Sequence, residues 1–248
     1  MSFRLPLLLI LLITSNLQAK VSNESELSLI QSGGNSVAET NNLKTETKLV
    51  KEKRTYSIGG HYTLSSSEVI DENGDKETVE SARNWDVNTK YEQELTKKFS
   101  GVLGFKVEGD EFSGLSQREN TDLGVKYFIH KDDKINSYVQ LGLRYSTERT
   151  TTRNEDDEDH FKYTKGNVFY EITHKVSESL SYKFWFEYLP NLTKSEDYQI
   201  TYEPSLIFVL SNIFSLKTGY KGIYDNQPNI EGNEYTDFTF TTSILAKF

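Results

Sequence analysis

The side chains that could carry out chemistry are few and widely scattered. The four histidines, His61, His130, His160 and His174, lie on separate segments and show no metal-ligand spacing. We expect them to be solvated or interfacial residues. His61 differs because it falls within the polar face of an extended segment. A lipid hydrolase built on it would need a hydroxyl and an orienting polar group to converge there.

Carboxylates cluster in two polar stretches that a hard cation such as Ca²⁺ could bind. One is the acidic run Glu155–Asp159, and the other is Asp71–Asp75, with Asn73-Gly74 at its centre. Neither has the full ligand spacing of a calcium loop, and like charges in a row stay extended in water. We therefore expect a solvated acidic loop and a tight turn, with no bound metal and no cofactor.

A larger set of charged residues alternates with apolar residues along extended segments, and these are candidates to line a lumen. They are Lys90, Glu92, Lys106, Glu108, Arg144, Glu171, Lys183, Glu187, Glu203, Lys217 and Lys221. Two alternatives follow: a hydrated channel, or a narrow barrel plugged by its own salt bridges. We favour a narrow or closed lumen, and the mixed charge argues against strong ion selectivity.

The elements that carry these residues have a period of two, which is typical of β-strands. At the C-terminus, Phe238, Phe240 and Ile244 share one face, and polar residues share the other apart from Leu245. Twelve segments alternate in this way, and each is long enough to cross a bilayer when tilted. They cover residues 24–32, 37–50, 54–65, 83–95, 99–109, 119–129, 135–148, 161–174, 179–189, 196–210, 213–224 and 235–248.

The connections between these segments alternate between short and long. Longer polar loops are predicted at residues 66–82, 110–118, 149–160, 190–195 and 225–234. Short turns at one rim and long loops at the other are typical of outer-membrane barrels. The fold prediction is therefore all-β: a closed antiparallel up-and-down transmembrane β-barrel of about 12 strands. Pro204 lacks a backbone donor, and we expect a bulge or an irregular strand around it.

The first residues indicate export, and the composition narrows the partners. Residues 1–19 have the order of a secretory signal peptide, which leaves residues 20–248 as the barrel domain. We therefore expect the protein in the outer membrane, in contact with lipid and lipopolysaccharide. A formal charge of −9 disfavours nucleic acid as a partner. The absence of cysteine excludes disulfides and thiolate metal sites.

Three short stretches resemble the uncharacterised bacterial family called domain of unknown function 481, also described as YdiY-like or salt-induced outer membrane proteins. They are Ser32-Gly33-Gly34-Asn35; Asp110–Leu115 followed by Arg118 and Gly124; and Tyr224–Pro228 followed by Asp237 and Phe248. This chain departs from the family pattern at Gly124-Val125-Lys126-Tyr127, where the family tends to have Gly-x-Gly-Tyr. It implies an outer-membrane barrel, expressed under salt stress, with no established catalytic residues.

The sequence thus favours a non-enzymatic outer-membrane barrel with a structural or small-solute pore role. The terminal Phe248 resembles the signal that barrel-assembly machinery recognises, which makes that machinery an expected partner during insertion. Two alternatives stay open. One is a lipid hydrolase that uses His61 and a hydroxyl on a neighbouring strand. The other is a soluble periplasmic barrel that binds an apolar ligand, with Phe238, Phe240 and Ile244 in its interior.

Overall fold

The computed structural model describes residues 19–32, 38–70, 76–154, 157–228 and 234–248. Within these ranges the chain forms twelve β-strands and one turn of 3-10 helix, η1 (Glu111–Ser113). The strands are β1 (Lys20–Ser32), β2 (Ala38–Lys51), β3 (Arg54–Ile70), β4 (Lys76–Glu94), β5 (Phe99–Asp110), β6 (Leu115–Lys131), β7 (Ile135–Thr150), β8 (His160–Lys175), β9 (Leu180–Pro190), β10 (Tyr198–Val209), β11 (Phe214–Asp225) and β12 (Thr236–Lys247).

The strands form a closed ring. Each strand pairs antiparallel with its neighbours in the chain, and β1 closes the ring by pairing with β12. This arrangement confirms the predicted all-β, up-and-down barrel and its strand number. In the described ranges no helix is long and apolar enough to span a membrane. The predicted signal peptide lies almost entirely outside the described residues and stays a prediction.

The register sorts the side chains into two chemically distinct faces. Directly opposite residues of antiparallel strands point to the same side of a sheet. Leu27 lies opposite Leu43, and Leu43 lies opposite Tyr62, so these three apolar side chains share one face. This apolar face is the outer one, since Phe238 and Phe240 are 70% and 62% exposed, whereas Leu245 on the other face is 1% exposed. The alternative of a soluble barrel with these phenylalanines inside is therefore wrong.

Aromatic side chains gather near both rims of the outer face. Toward the long-loop rim, Tyr198 contacts Tyr188 and Tyr224, with ring centroids 6.0 and 5.7 Å apart. Toward the short-turn rim, Tyr56 packs on Tyr91 at 5.1 Å and Phe99 on Tyr127 at 5.0 Å. Two such belts around an apolar band are the pattern expected where a barrel wall crosses the two interfaces of a membrane.

The long loop predicted at residues 66–82 is instead a strand hairpin. β3 and β4 continue their ladder from Ser66 opposite Glu80 to Ile70 opposite Lys76, after a register shift between Ser65 and Ser66. The prediction was wrong because this stretch is too polar to show a two-residue alternation, although its backbone still pairs. The predicted Asn73-Gly74 turn lies outside the described residues.

The predicted loop at residues 110–118 is shorter than expected. The Asp110 carboxylate accepts a hydrogen bond from the Ser113 backbone N–H at 3.2 Å and caps η1, and Gly114 follows with a φ of 77°. Glycine adopts this left-handed backbone without strain. β6 then begins at Leu115, so Arg118, predicted in the loop, lies within a strand.

Pro204 does not produce the predicted bulge. β10 keeps an unbroken register with β9, where Pro204 lies opposite Phe184. On its other side the ladder with β11 skips Glu203 and Pro204 and resumes at Ser205 opposite Gly219 without a shift. The missing donor therefore interrupts the hydrogen bonding locally, and the strand remains regular.

The seam between β1 and β12 has the shortest ladder of the ring. Four residue pairs join these strands, from Glu24 opposite Lys247 to Leu27 opposite Ile244, whereas thirteen pairs join β1 to β2. Backbone hydrogen bonds of 2.9 Å between Asn23 and Phe248 extend the seam toward the short-turn rim. Fewer ladder bonds make this seam the weakest line in the wall.

We expect the folded protein to migrate faster on a denaturing gel when it is unheated than when it is boiled. A closed barrel leaves no free strand edge, so detergent does not unfold it until heat opens the ladder. The measurement is the gel shift of the refolded protein after incubation at increasing temperatures. Identical mobility at all temperatures would contradict the closed transmembrane ring.

A disulfide across the seam should raise the thermal midpoint. Ser25 and Ala246 lie opposite each other on the outer face, and directly opposite strand residues are close enough for a disulfide. The natural chain has no cysteine that would compete. The loss of β-sheet circular dichroism on heating should move to higher temperature in oxidised S25C/A246C and return after reduction. The matched control is L27C/L43C, which crosslinks the already long β1–β2 ladder and should give a smaller rise.

Candidate functional site

The inner face of the barrel carries most of the buried polar side chains. Along β6, for example, Asp122 and Lys126 point inward while Leu123 and Val125 are exposed on the outside. Lys126, Asn120, Ser146 and Asn167 are all buried. Strand alternation alone therefore concentrates ionic groups in the interior, which we take as the candidate functional site.

Arg144 is the centre of one network near the middle of the wall. Its guanidinium donates to both carboxylate oxygens of Asp122, at 2.7 and 3.2 Å, and to Glu187 at 3.1 Å. Asn167 donates to the same Glu187 at 2.8 Å. One cation thus ties together side chains from β6, β7, β8 and β9, and its planar, bidentate geometry is one that lysine could not reproduce.

A glycine pair lies beside this network. Gly124 and Gly142 face each other across β6 and β7. A Cβ atom on Gly142 would lie 2.5 Å from the Leu123 carbonyl oxygen, so only glycine fits there. The two strands approach closely at this point.

Lys217 organises a second network on the opposite part of the wall. Its ammonium lies 2.6 Å from Glu203 and 3.2 Å from Glu26. Ser243 donates to Glu26 at 2.6 Å, and the indole N–H of Trp185 donates to Glu203 at 3.1 Å. These contacts link β9, β10, β11, β12 and β1, so they also stabilise the strands on both sides of the seam.

A third network lies toward the long-loop rim. Glu108 accepts from Lys106 at 2.6 Å and from Asn120 at 2.8 Å. Arg118 lies 3.8 Å from Glu108 and 3.3 Å from Glu148, and Lys165 reaches Glu148 at 3.1 Å. Both carboxylates are thus held between two cations.

The fourth network, toward the short-turn rim, combines charge with aromatic rings. Lys126 is ion-paired with Glu92 and lies 4.3 Å above the Tyr138 ring. Tyr138 stacks on Phe169, and Phe169 stacks on Trp185, with centroids 5.9 and 6.1 Å apart. Such a cation–aromatic contact stabilises a lysine that has lost part of its hydration.

Nine of the eleven charged residues predicted from sequence belong to these ion pairs. They are Glu92, Lys106, Glu108, Arg144, Glu171, Lys183, Glu187, Glu203 and Lys217, with Lys183 3.2 Å from Glu171. Lys90 and Lys221 lie on the same face without a carboxylate partner within 4.0 Å among the described residues.

The sequence prediction missed several members of the networks. They are Glu26, Asp122, Lys126, Arg118, Glu148 and Lys165. Alternation already placed Asp122 and Lys126 on the polar face, so that signal could have found them. Arg118 was missed because β6 begins earlier than predicted. Which cation pairs with which carboxylate depends on contacts across intervening strands, and alternation carries no information about those.

Several ion pairs reach across an intervening strand and extend over the interior. Lys126 of β6 pairs with Glu92 of β4, and Lys217 of β11 pairs with Glu26 of β1. A cavity of about 370 Å³ opens at the short-turn rim and is lined by residues that include Lys90, Glu92 and Lys126. A smaller one, of about 60 Å³, lies toward the long-loop rim beside Arg118 and Glu148.

His61 is the histidine whose surroundings come nearest to a catalytic arrangement. Its Nε2 lies 2.9 Å from the Thr63 hydroxyl, and its Nδ1 lies 3.6 Å from the Asp86 carboxylate. The hydroxyl is therefore on the same strand, not on a neighbouring one as the hydrolase alternative required. All three side chains are on the inner face, away from the lipid.

The remaining histidines and the acidic loop show simpler contacts. His130 hydrogen-bonds the Ser137 hydroxyl at 3.0 Å. His160 hydrogen-bonds Asp159, which lowers the pKa of that carboxyl below its usual range. Glu155 and Asp156 of the acidic run lie outside the described residues. In the part of the chain that the structure describes, no three His, Asp or Glu residues are grouped as a metal site would require.

Comparison with solved structures places this fold among outer-membrane barrels. The COG4313 outer membrane channel from Pseudomonas putida F1 matches with a TM-score of 0.52 and 9% identity, over 93% of this chain and 95% of that one. The NanC porin matches with a TM-score of 0.50 and 8% identity, over 92% and 98%. At these identities the likeness extends to the fold alone.

Sequence comparison assigns the family. No curated protein matches the chain. The family model described as "Protein of unknown function, DUF481" matches residues 25–248, which include β2 to β12 and most of β1. This agrees with the resemblance noted in the short turn motifs, and the chain belongs to the DUF481 family.

Proposed function

We propose that this protein is a narrow, non-enzymatic pore of the bacterial outer membrane for ions and small polar solutes. The observation that supports this most directly is the contrast between its two faces. The outside is an apolar band with two aromatic belts, whereas the inside is lined by ionic side chains and opens into a cavity at the short-turn rim. Such an interior attracts water and dissolved ions.

Part of the interior is open to water. Lys106 and Lys183 keep 30% and 33% of their side chains exposed although both are ion-paired. Lys44 has no carboxylate partner among the described residues and is exposed to the lumen. Other inward charges, such as Lys126 and Glu148, are buried and ion-paired, so the hydrated part of the lumen surrounds the exposed lysines.

The partners proposed for this pore follow from its envelope location. Outer-membrane lipid and lipopolysaccharide would contact the apolar band, and the barrel-assembly machinery would insert the chain. Phe248 supports the last proposal because its side chain is 71% exposed while its backbone is bonded to Asn23. A role under salt stress rests on the family resemblance only.

A second candidate, a lipid hydrolase, is favoured by one observation: the contact of His61 with Thr63 and Asp86. The Asp86 distance exceeds that of a hydrogen bond, and the inner face is closed to membrane lipid.

We expect His61→Ala to leave the hydrolysis of phospholipid and of a soluble ester at the level of the natural protein. If the natural protein hydrolyses either substrate, and His61→Ala, His61→Asn and His61→Gln all lose that activity, the hydrolase is established instead.

Reconstitution into planar bilayers should give small, stable conductance steps in potassium chloride. Arg144→Ala should increase the step size because it removes the side chain that spans from Asp122 to Glu187. It should also lower the free energy of unfolding by about 3 kcal/mol, since two inward carboxylates lose their partner.

The matched control is Arg153→Ala, in which an exposed loop arginine that pairs with Asp157 is removed. It should change neither the step size nor the stability. If the natural protein and both variants refold and show the gel shift on heating but none of them conducts, the pore proposal is overturned.

A further inference from the structure

One sector of the outer face, formed by β1 and β2, is polar at the depth of the apolar band. Strand alternation places five further residues of β2 on the same face as Leu43. They are Glu39, Asn41, Thr45, Thr47 and Leu49. Across the ring, the wall formed by β6 and β7 exposes aliphatic side chains such as Leu123 and Leu141. The β1–β2 sector is therefore poorly suited to contact acyl chains.

Four side chains of this sector form a hydrogen-bonded cluster, which we call the polar patch: Asn23, Ser25, Thr45 and Thr47. The Asn23 amide donates to the hydroxyls of Thr45 and Thr47, at 3.2 and 3.0 Å. The Ser25 hydroxyl donates to Oδ1 of Asn23 at 2.9 Å, and it lies 2.9 Å from the Thr45 hydroxyl. Asn23 is opposite Thr47, and Ser25 is opposite Thr45, so the polar patch spans both strands.

The polar patch lies within the apolar band and keeps unused hydrogen-bonding capacity. Thr47 is opposite Ile58, which lies farther into the band than Tyr56 of the short-turn aromatic belt. Thr47 accepts from Asn23, and its own hydroxyl hydrogen has no acceptor in the part of the chain that the structure describes. Thr45 is exposed. Hydrocarbon offers no partner to such groups, whereas side chains of these types hydrogen-bond between polypeptides inside membranes.

The polar patch also borders the seam, which is the weakest line in the wall. Ser25 lies opposite Ala246 of β12, and the β1–β12 ladder stops at Leu27 opposite Ile244. A protein surface packed on this sector would brace the wall where the chain itself supplies the fewest ladder pairs. The unused hydrogen bonds and the short ladder thus point to the same sector.

We propose that the polar patch is the centre of an interface between two copies of this chain in the membrane. Amide and hydroxyl side chains both donate and accept. The polar patch is therefore complementary to itself when a second copy is related by a two-fold axis along the membrane normal, which brings residues of equal depth together. It contains no charged residue that would repel its copy. This inference goes beyond the proposed pore and does not depend on conductance.

The first test is disulfide crosslinking in isolated outer membranes, since the natural chain has no cysteine. T45C places a thiol on the exposed side of the polar patch. Oxidation should move most of this variant to a band of twice the monomer mass, and reduction should reverse the change. The matched control is V125C, which is also exposed on the outer face but lies on the β6–β7 wall and should stay monomeric.

Two results of the crosslinking would overturn the inference. One is equal crosslinking of T45C and V125C, which would mean that the copies meet by random collision. The other is a T45C band of a different mass, which would show that another protein occupies the polar patch.

The second test removes the hydrogen-bonding groups. In N23V/S25V/T45V/T47V the polar patch becomes aliphatic, and valine suits a strand. Light scattering in mild detergent should give the mass of a dimer for the natural protein and of a monomer for this variant, with the gel shift on heating retained in both. The control L123T/V125T adds hydroxyls to the β6–β7 wall and should remain dimeric.

The mass measurement can contradict the interface independently of the pore. A natural protein with the mass of a monomer, or a folded N23V/S25V/T45V/T47V variant with the mass of a dimer, would overturn the inference. A natural dimer that depends on the polar patch but does not conduct would reject the pore and support the interface.

Discussion

The structure depends on the need to pair every backbone N–H and C=O group of a chain segment placed in hydrocarbon. Unpaired groups there are costly, and a β-sheet satisfies all of them only when it closes on itself. The ring from β1 to β12 meets this requirement. Closure then dictates the rest, because strand alternation sends one half of the side chains to lipid and the other half into a confined interior.

That confinement explains why the interior consists of ion pairs. Charged groups on the concave side of a small barrel cannot spread into bulk water, so carboxylates and cations from strands that are not neighbours approach one another. Arg144 and Lys217 each serve two carboxylates in this way. The same contacts brace the wall and set the electrostatic potential of the interior, so stability and interior charge are consequences of one arrangement.

The sequence predicts the strands well because alternation is a local property. All twelve strands, the closed topology and the inward side of the eleven charged residues follow from it. It fails at the hairpin of β3 and β4, where residues 66–68 and 76–78 are polar on both faces. It also fails for the ion-pair partners: Lys126 pairs with Glu92 across β5, and Lys217 with Glu26 across β12. Those distances depend on the curvature of the wall, which a local pattern does not encode.

The seam has a further consequence for how the chain is made. Glu26 and Ser243, which meet across it, are 217 residues apart in sequence. Contacts so distant in the chain form slowly and last, after synthesis of nearly all of the polypeptide. Until then β1 and the most recently added strand remain as two open edges that can pair with other chains. Closure between β1 and β12 therefore also removes the two edges through which the chain could aggregate.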